Sequence, residues 1–218
     1  MKLEAHWGAI EYQVRSAYSF VFYWHGYRWL HPRDPFYAPR TIREVSRLLT
    51  PRTRLFEWGS GASTVWFAAR VGEMTAIEHD LGWFERTSAK LVAGGLRNVD
   101  YRLRVPSAPM LTDGDPPQWP LSKPEFATYV SQIDEYPDEY FDVIAIDGRE
   151  RVGCAEHAVS KVAPGGVIIL DDTRRVRYEP VFSLLADWRA QRFSFGLQNT
   201  SLFFRPADGE NQPYADRS

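Results

Sequence analysis

Cysteine is nearly missing from this chain: Cys154 is the only one in 218 residues. That excludes an intramolecular disulfide framework and any zinc site built on a cysteine cluster, and it fits a reducing, cytoplasmic setting. Long apolar runs are missing as well. The opening stretch MKLEAHWGAIEY has no extended hydrophobic region of the kind a secretory signal carries. The aromatic stretch SAYSFVFYWHGYRWL is too short and, with His25 and Arg28, too polar to cross a bilayer, so no transmembrane segment is expected. An excess of positive charge is also lacking. The formal net charge is -2 and the isoelectric point is near 6.2, which argues against a general nucleic-acid binder and leaves a small molecule as the expected partner. What the chain does have is 44% hydrophobic residues, in a length that suits one α/β domain with a full core.

The first 50 residues show helical rather than strand periodicity. Trp7, Ile10, Val14, Ala17 and Tyr18 recur at helical spacing, as do Phe20, Trp24 and Tyr27. This predicts one or two amphipathic helices stopped by Pro32, Pro35 and Pro39, and a further helix over 41–49 ahead of Pro51. Such an extension, 1–50, would pack on the main domain, cover its site, or form a homodimer surface. From residue 54 the pattern alternates. RLFEW, MTAIEH, NVDYRLRV, YFDVIAID and GGVIILDD read as strands, and 63–71, 81–91, 152–162 and 180–191 read as helices. RFSFGL and TSLFFR, joined by Gln198 and Asn199, read as a terminal hairpin.

Residues 106–139 interrupt that rhythm with seven prolines and one expected helix over 126–133. An insertion this long in a compact domain is usually functional or disordered. Trp119, Phe126, Tyr129 and Tyr136 are its candidates for the wall of an acceptor pocket. Runs such as VIAI and VIIL suit a sheet covered on both faces. The expected fold is therefore a doubly wound, mostly parallel α/β sheet over 51–205, followed by a frayed polar tail, 206–218.

In such sheets ligands sit beyond the carboxyl ends of the strands, and here four strand ends carry acids: Glu57, Glu78, Asp147, and the pair Asp171 and Asp172. Gly59 and Gly61 permit a tight turn after the first strand, and Ser63 or Thr64 can cap the helix that follows, with its first amides facing the same crevice. A dinucleotide site would want a small residue where Thr64 stands, and Glu57 would repel a pyrophosphate. An acid there suits a cation. S-adenosylmethionine carries an ammonium and a sulfonium, with Glu57 near its amino-acid end and Glu78 on its ribose hydroxyls. His79 is placed either to stack on or hydrogen-bond the adenine, or to lie at the surface.

The segments LFEWGSGAST, AIEHD, FDVIAIDG and APGGVIILDD occur in that order. Together they resemble the class I S-adenosylmethionine-dependent methyltransferases over about 41–205. The resemblance implies a seven-stranded Rossmann-like sheet with an antiparallel end hairpin, and methyl transfer to a small acceptor, at oxygen. By position, Glu57, Gly59, Ser60 and Gly61 match the family's first motif, Glu78 its ribose acid, and Asp147 the acid near the methyl group. Ser63 stands where the family often has a third glycine, implying a hydroxyl toward the methionine carboxylate. Similarity to the catechol-type O-methyltransferases implies magnesium on Asp147, Asp171 and Asp172, with an aspartate in place of that group's asparagine. Without metal, one of these aspartates or His157 serves as base. Arg149, Arg151, Arg174, Arg175 and Arg177 crowd the same rim, either to hold an anionic acceptor or to neutralise the acids. The rival readings are an aminopropyl transferase, which wants an acid at Ser60 or Ser63, an NAD-dependent oxidoreductase, and a catalytically silent cofactor-binding protein.

Overall fold

The computed structural model describes residue 21 and residues 26–107, 124–195 and 198–209. The periodicity read over 7–20, Trp24, Trp119 and the tail from 210 lie outside the described residues.

The apolar runs form the strands they predict. The first strand, β1 (Arg54–Trp58), buries Leu55, Phe56, Glu57 and Trp58. β2 (Glu73–Glu78), β3 (Val99–Leu103), β4 (Phe141–Ile146) and β5 (Val162–Asp171) lie parallel to it. β6 (Arg189–Phe195) and β7 (Gln198–Phe204) form the antiparallel hairpin. The order across the sheet is β3-β2-β1-β4-β5-β7-β6, with β7 antiparallel to β5. Successive residues of β4 and β5 feed two cores. Val143, Ala145, Val167 and Ile169 face one layer, and Ile144, Ile146, Ile168 and Leu170 face the other. Period-two alternation between two apolar layers is why these strands read as unbroken hydrophobic runs.

Helices cover both faces: α1 (Pro39–Leu48), α2 (Ala62–Ala68), α3 (Leu81–Ala93), α4 (Ala127–Val130), α5 (Arg151–Ala158) and α6 (Glu179–Leu184). Pro39 starts α1 rather than stopping a helix, because at the first helical position its missing N–H breaks no bond. The expected helix over 126–133 is a single α turn flanked by 3-10 turns at Pro124–Phe126 and Ser131–Glu135. The last helix, expected to reach 191, ends at Leu184, since β6 starts at Arg189 and pairs residue by residue with β7 up to Phe195.

The strand order reverses between β1 and β4, where β1 connects outward to β2 and β4 outward to β5. That switch point, at the carboxyl ends of the strands, is where an open parallel sheet leaves a crevice.

Candidate active site at the strand tips

The chain leaves β1 through Gly59, whose φ is +85°. A Cβ there would lie 2.5 Å from both Cα and N of Gly148, just past β4. The two loops therefore cross backbone on backbone, a contact closed to any larger residue. The Gly59 amide donates to Ile77 O (3.0 Å) and the Asp147 amide to Trp58 O (2.9 Å), so three strand ends are tied at this point. Beneath it lies the Tyr129 hydroxyl, in the space a Gly148 Cβ would need. Gly61 is the opposite case: no atom lies within 4 Å of its would-be Cβ, and the turn opens there onto free space.

The turn is held by acids. The Thr64 hydroxyl accepts from the Gly61 amide (2.9 Å) and donates to Glu57 Oε2 (2.6 Å). Glu57 is fully buried, and its Oε1 has no hydrogen-bond partner. Burial, opposed by hydroxyls of Ser63 and Thr64 and reinforced by Glu78, pushes its pKa up to about 8. One strand over, Glu78 Oε2 accepts from the Ser60 amide (2.9 Å) and hydroxyl (2.5 Å). Its Oε1 accepts from the amides of His79 (2.7 Å) and Asp80 (2.9 Å). Burial alone would raise Glu78, but these bonds together with His79 carry it down to about 2. The two acids of the turn thus have opposite characters, set by how many donors reach each one. The Ser60 hydroxyl also meets Tyr101 OH (2.5 Å), and the Tyr101 ring stacks on Phe84. His79 Nδ1 lies 2.8 Å from Glu78 Oε1, and its ring packs beside Phe126 and Tyr129.

Across the switch point, the other three acids gather round one cation. Arg151 is 8% exposed. It donates to Gly148 O (3.0 Å), Asp171 O (2.6 Å), Asp147 O (3.1 Å) and Asp147 Oδ1 (3.0 Å), with Asp172 Oδ2 at 3.7 Å. Asp172, in a left-handed conformation (φ 57°), also pairs with Arg175 at 2.7 Å. Asp171 Oδ1 accepts from the Thr200 hydroxyl (2.7 Å). Burial raises Asp147 to about 6 against the pull of Arg151, with Glu57 and Asp172 adding repulsion. Burial and Asp147 likewise push Asp171 well above the carboxylate range. Tyr37 is 1% exposed, and burial first, then the charges of Asp147, Asp171 and Glu57, hold its hydroxyl well above the usual tyrosine range.

No protein-family model and no curated protein sequence matches this chain. Solved structures do. An rRNA methylase from Streptococcus thermophilus superposes with a TM-score of 0.58 at 11% identity, covering 79% of this chain and 99% of that one. An S-adenosylmethionine-dependent O-methyltransferase from Thermotoga maritima gives 0.57 at 12% identity, over 84% of this chain and 71% of the other. A Streptococcus mutans protein described as a methyltransferase, solved with S-adenosylhomocysteine, gives 0.56 at 10% identity, over 78% and 99%. The chain has the fold of the S-adenosylmethionine-dependent methyltransferases.

In a methyltransferase fold the rim just described is the place for a cofactor, and the two expected groups fare differently there. The residues fit S-adenosylmethionine: open space lies at Gly61, and Glu57 keeps one buried oxygen without a partner, where a cation would favour the ionised form over the neutral one. They do not fit magnesium on Asp147, Asp171 and Asp172. The Arg151 guanidinium already lies among them as the counter-charge. Among the described residues no group of three acids, histidines or cysteines is arranged to hold a metal. Arg151 and Arg175 neutralise rim acids, whereas His157 pairs with Asp134 (2.8 Å) on the flank of α5. Phe126 and Tyr129 are core residues beneath the loops, and Tyr136 hydrogen-bonds Thr75 (2.7 Å).

Sequence reasoning missed two residues. Tyr37 stands in a proline-rich stretch without periodicity. Tyr101 alternates in an exposed-looking strand, and only its pairing of Ala76 beside β2 brings its hydroxyl to Ser60.

The raised acids give the fold a pH signature. Glu57 titrates near 4.5 when unfolded and near 8 when folded. Its contribution is therefore full below about pH 4.5 and is lost as pH rises through about 8. Asp147 and Asp171 act in the same direction, whereas Glu78 changes only at acid pH, outside this window. Thermal unfolding of the cofactor-free chain should show Tm falling between about pH 5 and about pH 8, at up to roughly 1.4 kcal/mol per pH unit. Glu57→Gln should remove Glu57's share of that slope and leave the part due to Asp147 and Asp171; an unchanged slope would assign it wholly to other groups.

Proposed function

We propose that this chain is an S-adenosylmethionine-dependent methyltransferase acting on a small acceptor, at oxygen. One observation carries the reading. At the switch point of a methyltransferase fold, a turn with open space at Gly61 is flanked by the unpartnered Glu57 oxygen and by Glu78 at the next strand tip. The cofactor residues are then Glu57, Gly59, Ser60, Gly61, Ser63, Thr64, Glu78 and His79. Glu57 and Thr64 act through the shape and charge of the turn. For a ribose hydroxyl to donate to Glu78, the Ser60 hydroxyl must yield its place, and Tyr101 stands within 2.5 Å to receive it.

S-adenosylmethionine, when bound, supplies a methyl group on a positively charged sulfur. The chain's own part is to orient the acceptor and take its proton. Asp147, raised to about 6 and anchored by Arg151, is the general base: near neutral pH it is ionised yet still basic enough to accept a hydroxyl proton. Asp171, held by Thr200, orients the acceptor beside it, and Arg151 compensates the charge of the pair. This scheme needs no metal. A net charge of -2 supports a small acceptor over a nucleic acid. The aminopropyl and dinucleotide alternatives are disfavoured by serines at 60 and 63 and by the acid at Glu57.

Calorimetry with S-adenosylmethionine, S-adenosylhomocysteine and NAD tests the reading. The two sulfur nucleosides should bind and NAD should not. Glu78→Ala should weaken S-adenosylmethionine by about 10- to 100-fold, the worth of a hydrogen bond to a charged acceptor. Unchanged affinity in that variant would remove the ribose assignment. Binding without S-adenosylhomocysteine release, across a panel of hydroxylated metabolites, would favour a silent cofactor-binding protein.

A further inference from the structure

We infer that a cleft at the outer end of the rim, beyond β5, β6 and β7, seats the anionic end of the methyl acceptor. The inference rests on the methyltransferase reading and gives its substrate a chemical class. Thr200 links the two places: its hydroxyl bonds Asp171, and across the ladder it pairs with Phe193. Asp171 and Phe193 are thus two strand spacings apart, about 10 Å, the length of one substituted ring.

The cleft has a volume of about 260 Å³, and its lining includes Arg174, Phe182, Arg192, Phe193, Ser194 and Asn199 but no carboxylate. Arg192 differs from Arg151 and Arg175, whose charges are met by Asp147 and Asp172. The Arg192 guanidinium lies 4.4 Å over the Phe182 ring and, among the described residues, has no acidic partner. Stacking on a ring uses the face of a guanidinium and leaves its N–H edge directed outward, a fork that matches a carboxylate or a phosphate. The Phe182 ring supplies an apolar wall. A compact molecule with a flat apolar body and one carboxylate or phosphate matches both features. A nucleic acid would instead require an extended basic track with stacking platforms along it.

The test uses the full chain and three ring probes: benzoate, phenyl phosphate and neutral benzamide, titrated by calorimetry or by chemical-shift change. At least one anionic probe should bind about tenfold more tightly than benzamide, and Arg192→Gln should abolish that preference while leaving S-adenosylmethionine affinity unchanged. Equal binding of all three, or an anion preference that survives Arg192→Gln, overturns the proposal. So does a single-stranded RNA that binds through Arg192 and displaces the anionic probe. Should the wild type bind anions through Arg192 but not S-adenosylmethionine, the methyltransferase reading fails, and the cleft's role as an acceptor seat fails with it, while the anion site stands.

Discussion

Arg151→Ala is expected to destabilise the protein by about 2–3 kcal/mol, the cost of leaving half-buried carboxylates without their counter-charge and three carbonyls without their donor. The guanidinium is 8% exposed and joins Gly148, Asp147 and Asp171 through four hydrogen bonds. Three of those bonds go to backbone carbonyls, so the side chain stitches the β4 loop to the end of β5 as well as balancing charge. Removing it would push Asp147 and Asp171 further toward their neutral forms and free both loops. Arg151→Lys should recover part of the loss, because it restores the charge but cannot span the same carbonyls. Urea denaturation at neutral pH is the measurement. A loss below about 1 kcal/mol in the alanine variant would mean that solvent, not Arg151, compensates the acids.

Gly59→Ala should be comparably severe. Its φ of +85° disfavours any side chain, and the new Cβ would meet Gly148 backbone atoms at 2.5 Å. Neither backbone can give way cheaply, because both belong to the three-strand tie at the rim. The expected cost is about 3 kcal/mol or more, with loss of S-adenosylmethionine binding. Gly61→Ala provides the contrast. No atom lies near its Cβ position, so stability should change by no more than about 0.5 kcal/mol. Cofactor affinity should nonetheless fall, because the methyl group intrudes on the space proposed for the ligand. Thermal unfolding and calorimetry on both variants separate the two roles. Unaltered affinity in Gly61→Ala would move the ligand away from the turn.

What was legible beforehand was whatever local pattern controls. The parallel strands announced themselves as apolar runs, and the acids that end them marked the rim, because a strand stops where its chain meets water. Glu57, Glu78, Asp147 and Asp171 all lie there. In the sequence Arg151 is one of five rim arginines, since nothing there distinguishes a guanidinium pointing outward from one folded back over Asp147 four residues earlier. The metal expectation failed at the same point: three carboxylates were legible, but the cation already among them was not. The last helix was overestimated because residues 185–191 carry no breaker, and the pairing of β6 with β7 overrode their helical preference. Pro39 misled in the opposite sense, because a proline stops a helix from within and starts one from its first position.

The antiparallel course of β7 has a practical outcome for anyone attaching this protein to a surface or a label. β7 enters the sheet beside Asp171 and leaves it beside Val167. The chain therefore exits at the floor of the sheet, where Pro206 accepts from the Gly165 amide. A tether fixed to the last described residues pulls from the side remote from the crevice, so immobilised protein would present its rim to whatever flows past.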